Sequence, residues 1–316
     1  MLDYRTVFNT YVLPATLEMF VEQVRLFNQS SAGALVLNAD AFRGDFKTQA
    51  FFDEILSAQR RVNRYGPNTE APKTYITDHT KSDVKVAGGF GPVIFEPSEL
   101  TWMQEPTGRS LEVAATNFAS ALLYDQVNTA LGAVTGAILA QPDAVYGNTA
   151  TPLTYDTINM AHSLFGAAST LLVADFMTGR QYHKFVSQNL ANAPSLLFQA
   201  GNVLVVNILG KVTVVVDAEV LQPADGTSRV LSLSRGAVTV SDSGDIITNV
   251  ETKNGQQRIE TSFQADYTFN LGVKGYSWDA ATGGKSPMDP ELFTGTNWER
   301  IATSLQSTAG VLAVGS

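Results

Sequence analysis

The sequence predicts an α+β fold of two or three modules, and three features carry the prediction. Residues 110–140 form one long helical segment. Residues 203–209 and 212–216 are β-rich runs separated only by Gly210 and Lys211. Residues 258–273, RIETSFQADYTFNLGV, alternate like a long strand near the C-terminus. At 316 residues the chain exceeds what one simple core needs.

The elements follow in order. Residues 17–27 have helical spacing, with Leu17, Phe20, Val21, Val24 and Phe27 on one face. This segment reads equally as an amphipathic arm packing on another surface and as a first core helix. Residues 34–38 are a short apolar run. Phe51, Phe52, Ile55 and Leu56 have the spacing of a second helix leading to Arg60, Arg61 and Arg64. Residues 63–80 are polar, with Gly66, Pro67 and Pro72, and bury too little to form a core, which predicts an extended excursion. Val84 and Val86 then lead to Gly88-Gly89-Phe90-Gly91, which reads as a hinge.

In residues 110–140, Leu111, Ala115, Phe118 and Leu122, then Val127, Leu131, Val134 and Ile138, recur mostly at three- and four-residue steps. Ser110 suits an N-cap with Glu112 beside it, and Gln141-Pro142 marks the stop. Such a segment, at roughly 1.5 Å per residue, is a rod on the order of 45 Å. Thr154 opens another helix carrying Ile158, Ala161, His162 and Phe165, and residues 171–177 and 182–190 read as continuing helices. Residues 203–216 are a hairpin with glycine first in its loop. Residues 230–233 and 237–240 are short strands. Thr296 to Glu299 fits a T-x-x-E capping box opening a last short helix.

Composition narrows the function. Charged residues make up 16% of the chain, well below the usual quarter, so much of the surface is expected to be covered, most simply by other copies. A net charge of −9 argues against a broad electrostatic grip on nucleic acid. The absence of cysteine excludes disulfides, thiolate nucleophiles and cysteine-held metals. The N-terminus lacks the pattern of a secretory signal. The most apolar stretch, 161–177, is interrupted by His162, Ser163, Gly166, Ser169, Thr170 and Asp175, too polar for a bilayer span.

Reactive chemistry is sparse. The histidines are His79, His162 and His183. A Ser163/His162/Asp175 grouping, or one using His183, is conceivable as a hydrolase site, but no G-x-S-x-G elbow accompanies it. No H-E-x-x-H or other paired ligand spacing points to a metal. Gly283-Gly284-Lys285-Ser286 resembles the end of a phosphate loop, but Asp279 stands where the motif needs glycine, and Pro287 and Pro290 oppose the following helix, so it reads as a turn. Gly88-Gly89-Phe90-Gly91 lacks dinucleotide spacing. Asp242 and Asp245 supply too few oxygens for calcium. No catalytic, cofactor or metal residue is assigned. Arg60, Arg61 and Arg64 are candidate contacts with an acidic surface of another subunit or with DNA phosphates, against a solvated helix face. Trp102, Trp278 and Trp298 could anchor interfaces, Trp278 and Trp298 being the proposed inter-subunit contacts; each fits a core position as well.

Three blocks carry a family resemblance. The first is Gly275-Tyr276-Ser277-Trp278-Asp279 with Ser286-Pro287, Glu291-Leu292 and Asn297-Trp298-Glu299. The second is Leu209-Gly210-Lys211-Val212-Thr213-Val214-Val215-Val216-Asp217. The third spans 154–189 and includes Ala174-Asp175-Phe176-Met177. Together they resemble the major capsid proteins of tailed double-stranded-DNA bacteriophages, and only the C-terminal block is specific.

The resemblance implies the Hong Kong phage type of fold. It comprises an N-terminal arm (1–33), an extended-loop region (34–97), a peripheral domain with the spine helix (98–150), an axial domain (151–245), and returning peripheral strands with the C-terminal segment (246–316). It implies a non-enzymatic protein that forms hexamers and pentamers closing into an icosahedral head around double-stranded DNA, without sequence-specific binding, cofactor or membrane. Portal and scaffolding proteins are implied partners, with decoration proteins as further candidates. The chain opens on the arm, so any scaffold is expected to be a separate protein. Assembly is expected in the host bacterial cytoplasm. The competing readings are a bacterial nanocompartment shell, a hydrolase using His162 or His183, and another virion component such as a tail or head-decoration protein.

Overall fold

A computed structural model describes residues 11–38, 46–52, 60–67, 70–71, 73, 78–95, 108–188, 195–200, 203–208, 211–242, 246–255, 257 and 260–316. Two sheets share one long helix. The first helix, α1, is Leu13–Ser30, with Pro14 in its first turn. Phe20, Val24 and Phe27 are buried in the main core, while Val21 is 53% exposed and leaves the face assigned to it. Of the two readings of this segment, the core helix is the one observed. It lies against the chain's own long helix α2, Gly108–Leu139, where Gln23 Nε2 donates to Ser120 Oγ at 3.4 Å.

The first sheet comprises β1 (Leu35–Asn38), β2 (Phe46–Phe52), β3 (Asp78–Phe95), β10 (Val238–Asp242), β11 (Ile247–Lys253) and β12 (Glu260–Val273). Its order is β1-β10-β12-β3-β2, with β11 on β12 beyond the end of β10. β12 is its girder: β3 pairs along one side, β10 and then β11 along the other. The alternation seen in the sequence holds. Phe263, Tyr267, Phe269, Leu271 and Val273 are buried, while Gln264 and Asp266 face out.

The second sheet runs β4-β15-β9-β5-β8-β7-β6. Its strands are β4 (Val145–Gly147), β5 (Leu172–Met177), β6 (Ser195–Ala200), β7 (Val203–Ile208), β8 (Lys211–Val216), β9 (Ser228–Ser234) and β15 (Gly310–Gly315). Helices α3 (Tyr155–Ser163) and α4 (Gly179–Gln188) accompany it. Thr154 caps α3 as expected, accepting from Thr157 N while the Thr157 hydroxyl accepts from Thr154 N.

Each sheet draws strands from distant parts of the chain. β15, from the C-terminal segment, lies between β4 and β9, and β10, read with the axial segment, lies in the first sheet.

Several local expectations are corrected. Residues 172–177 form a strand, not a helix. A short apolar run buried on both faces has no period to reveal it, and here β8 and β9 flank it. Phe51 and Phe52 end β2 instead of beginning a helix; Ile55 and Leu56 lie outside the described residues. Residues 78–80 of the expected excursion belong to β3.

The glycines at 88, 89 and 91 also lie within β3 and form no hinge. A Cβ on Gly88 would meet the Tyr267 ring at 2.5 Å, and Gly91, at φ +102°, sits where β3 and β12 slip register. Ser110 lies inside α2 and is not its cap. Lys211 begins β8, opposite Ile208, instead of sitting in the hairpin loop. Asp242 ends β10, and residues 243–245 lie outside the described residues, as does Trp102.

From Thr129 to Ile138 every residue of α2 is buried. A helix apolar all round belongs inside a core, and this one packs against elements of both sheets. The C-terminal helix α6, Asp289–Phe293, also packs on it. A Cβ at Gly132 would fall 1.7 Å from the Phe293 ring. At Gly136 it would fall 2.3 Å from the Phe293 carbonyl oxygen, and at Gly295 2.4 Å from the Gly136 carbonyl oxygen. About two turns before Gly132, the Tyr267 hydroxyl donates to Asp125 Oδ2 at 2.6 Å, tying β12 to α2. Burial pushes the Asp125 carboxyl and the Tyr267 phenol above their ordinary ranges.

Overpacking at these glycines has a definite cost. Gly136→Ala meets backbone and is expected to destabilise by about 1–3 kcal/mol or more in urea unfolding. Gly132→Ala meets a side chain, so combining it with Phe293→Ala should cost less than the sum of the single changes. Additive costs would mean that the two groups do not touch.

Candidate functional site

Three groups of residues are candidates for function: the C-terminal block, the exposed arginines, and the histidines. In the block, β13 (Tyr276–Trp278) pairs antiparallel with β14 (Trp298–Arg300), which sets Trp278 opposite Trp298. The indoles meet edge to face, centroids 4.9 Å apart and planes at 71°. Trp278 Nε1 donates to the Gly284 carbonyl at 3.0 Å, and Trp298 Nε1 to the Leu292 carbonyl at 2.9 Å. The short helix α5, Ala280–Gly283, lies between, capped by Asp279, which accepts from Ala281 N. Gly283 leaves room for the Trp278 ring, since a Cβ there would fall 2.2 Å from Cζ2.

The expectation that Trp278 and Trp298 form inter-subunit contacts is therefore corrected. Each is 3% exposed within a single chain and has its indole N–H satisfied, so neither offers a surface to a partner. They brace the block from inside. The capping box expected at Thr296 is likewise absent. Trp298 is drawn into β14, and the N–H that a glutamate does satisfy is that of Met288, by Glu291 Oε2 at 3.0 Å.

Arg60, Arg61 and Arg64 are exposed, and none forms an ion pair with another described residue. Between and beside them Val62 and Tyr65 are also exposed, Tyr65 completely. Arg60 to Asn63 lie outside any helix or strand, with a turn at Arg64 and Tyr65, so the solvated-helix alternative does not apply.

Of the histidines, His162 and Asp175 do come together, with Nε2 3.0 Å from Oδ1. The serine is Ser232, which the sequence did not single out. Its Oγ donates to Asp175 Oδ1 at 2.6 Å and lies 2.9 Å from the same His162 Nε2. Ser163 instead donates to the Met160 carbonyl, and His183 is exposed with its ring beside Tyr182. Lys211 Nζ lies 2.9 Å from His162 Nδ1.

An ammonium only donates, so Nδ1 is the acceptor and Nε2 carries the proton shared with Asp175. A hydrolytic relay needs the imidazole between nucleophile and carboxylate, one nitrogen for each. Here one nitrogen meets both, and the serine proton is already given to the carboxylate. The cluster ties α3, β5, β8 and β9 together and has no relay geometry. His162→Ala is expected to cost about 1–3 kcal/mol in urea unfolding by stripping partners from buried polar groups. His183→Ala should stay within about 0.5 kcal/mol. Equal effects would contradict the assignment.

Among the described residues no group of histidines and carboxylates is arranged to hold a metal, and no helix is long and apolar enough to cross a membrane.

No curated protein matches the chain. Among solved structures, the capsid asymmetric unit of cyanophage Pam1 is similar at a TM-score of 0.49 and 11% identity, over 87% of this chain and 85% of that one. A chain of Microbacterium phage Oxtober96 is similar at 0.49 and 13%, over 91% and 90%. The capsid of Ralstonia phage GP4 is similar at 0.43 and 13%, over 77% and 83%. The model of the Gp13-like family, described as major capsid protein 13-like, matches residues 5–312. With its sequence matched almost from end to end, the chain belongs to the Gp13-like family of major capsid proteins, and its role is structural, not enzymatic.

Proposed function

We propose that this protein is the tile of a tailed-phage head, assembling as hexamers and pentamers into an icosahedral shell around double-stranded DNA. The family match over residues 5–312 carries the reading. On it, the second sheet is the axial domain, the first sheet with α2 the peripheral domain, and α1 the base of the N-terminal arm. The extended loop lies within residues 34–97, a region that also gives β1, β2 and β3 to the first sheet. Portal and scaffolding proteins, and decoration proteins where present, join the shell, which is built in the host cytoplasm. The net charge of −9 suits a wall that surrounds DNA without gripping its sequence.

The contact we assign to the loop follows from charge. On a chain this acidic, three exposed arginines unpaired with any described residue are complementary to the surface of a second copy. Their planar forks suit carboxylates, and the exposed Tyr65 adds an aromatic anchor. Reversing all three (Arg60→Glu, Arg61→Glu, Arg64→Glu) is expected to leave the subunit's circular dichroism and melting unchanged. Closed isometric particles in negative stain should fall by about tenfold or more, the equivalent of ~1.4 kcal/mol per contact. Undiminished particles would remove the arginines from the interface. Material that never forms closed particles, even from the wild-type sequence with a scaffold present, would overturn the shell reading itself.

A further inference from the structure

Beside the His162 cluster the second sheet holds an open cleft of about 270 Å³ between α3, β5 and β8. Its walls are apolar at Ile158 and Met177 and polar at Lys211, Thr213, Asn159 and Tyr155.

Two of its groups face the cleft with donors that no carboxylate or carbonyl of the described residues takes up. The half-buried Lys211 ammonium has an uncharged imidazole nitrogen as its hydrogen-bond partner, and no carboxylate of the described residues lies within ion-pair distance of it. Asp175 and His162 also line the cleft; Asp175 is 7% exposed, and the Ser232 hydroxyl and His162 Nε2 occupy its carboxylate. Thr213 is 2% exposed, lines the cleft, and its hydroxyl has no hydrogen-bond partner among the described residues. A hydroxyl without a protein partner and an ammonium without a carboxylate partner thus face one cleft, and both can donate to an oxyanion. The Asn159 amide and the Tyr155 hydroxyl add donors at the same opening.

We propose that this cleft is an oxyanion site. It takes one carboxylate or phosphate group, held by Lys211 as the charge and by Thr213 and Asn159 as hydrogen-bond donors. His162 positions the ammonium: its Nδ1 holds Nζ over the cleft, and its Nε2–H is anchored on Asp175. The oxyanion has two possible sources, a free anion or an acidic side chain of a second copy, and both would use the same contacts.

The test begins with unassembled full-length subunits carrying labelled methyl groups on isoleucine and methionine. Inorganic phosphate and acetate are titrated against chloride at matched ionic strength. Saturable shifts of the Ile158 and Met177 methyls with either oxyanion, absent with chloride, are expected. Lys211→Met should weaken the apparent Kd on the order of tenfold, as loss of a charge-assisted hydrogen bond predicts, while Lys211→Arg retains binding and Thr213→Val weakens it less. Circular dichroism of each variant controls for folding.

A second arm compares assembled particles. No saturable shift in free subunits, together with Lys211→Met particles that dissociate at lower denaturant than Lys211→Arg particles, assigns the oxyanion to a neighbouring copy. Shifts that persist undiminished in Lys211→Met overturn the site. So does a complete absence of shifts combined with equal stability of wild-type, Lys211→Met and Lys211→Arg particles.

Discussion

The close approach of Phe293 and Gly295 to Gly132 and Gly136 is the constraint on which the rest of the subunit depends. Three glycines remove three side chains from one contact, so the backbone that follows α6 touches the backbone of α2. Only then can α2 be enclosed on every side from Thr129 to Ile138, with both sheets resting on it. The residues that permit this are small or β-branched, Ala130, Ala133, Val134, Thr135 and Ala137, and Leu131 and Ile138 fill the remaining space. Such a helix has no solvent face to carry charge, which is one physical source of the chain's low charged fraction.

The C-terminal block turns that contact into a clamp. The paired indoles, their two carbonyl hydrogen bonds and the cap at Asp279 brace a small unit whose buried side chains are continuous with the main core. This unit presses α6 onto α2, while β12 leads into it and β15 leads out of it to the second sheet. One chain segment thereby fixes the first sheet, the spine and the second sheet relative to each other. A subunit that must repeat across a shell gains from such rigidity, because its contacts then meet neighbours at reproducible angles. The exposed arginines lie in the connection between β2 and β3, outside any helix or strand.

The sequence made legible those elements whose period is long or whose punctuation is strong. The spine helix, the β7–β8 hairpin, the cap at Thr154 and the returning strand all stood where the pattern put them. What stayed hidden depended on partners distant in sequence. Residues 172–177 are strand because β8 and β9 flank them, and nothing local records that. The glycines at 88–91 looked like a hinge because their reason is the Tyr267 ring and a register slip on another strand. Trp278 and Trp298 are of a type that anchors interfaces and cores alike, and only burial decided for the core. His162 and Asp175 were visible as a pair, whereas Lys211 and Ser232 were missed. Strand order sets β8 and β9 on either side of β5, and a lysine beside a hairpin glycine looks like a loop residue until the register is known.

The central claim is that α2 is locked within the subunit itself, before any neighbour arrives. Amide hydrogen exchange on unassembled subunits measures this directly. The account predicts that amides 129–138 exchange only through global unfolding, at the same free energy as the β12 core and regardless of assembly. Exchange of that segment through local opening in free subunits, with protection appearing only in assembled particles, would contradict it.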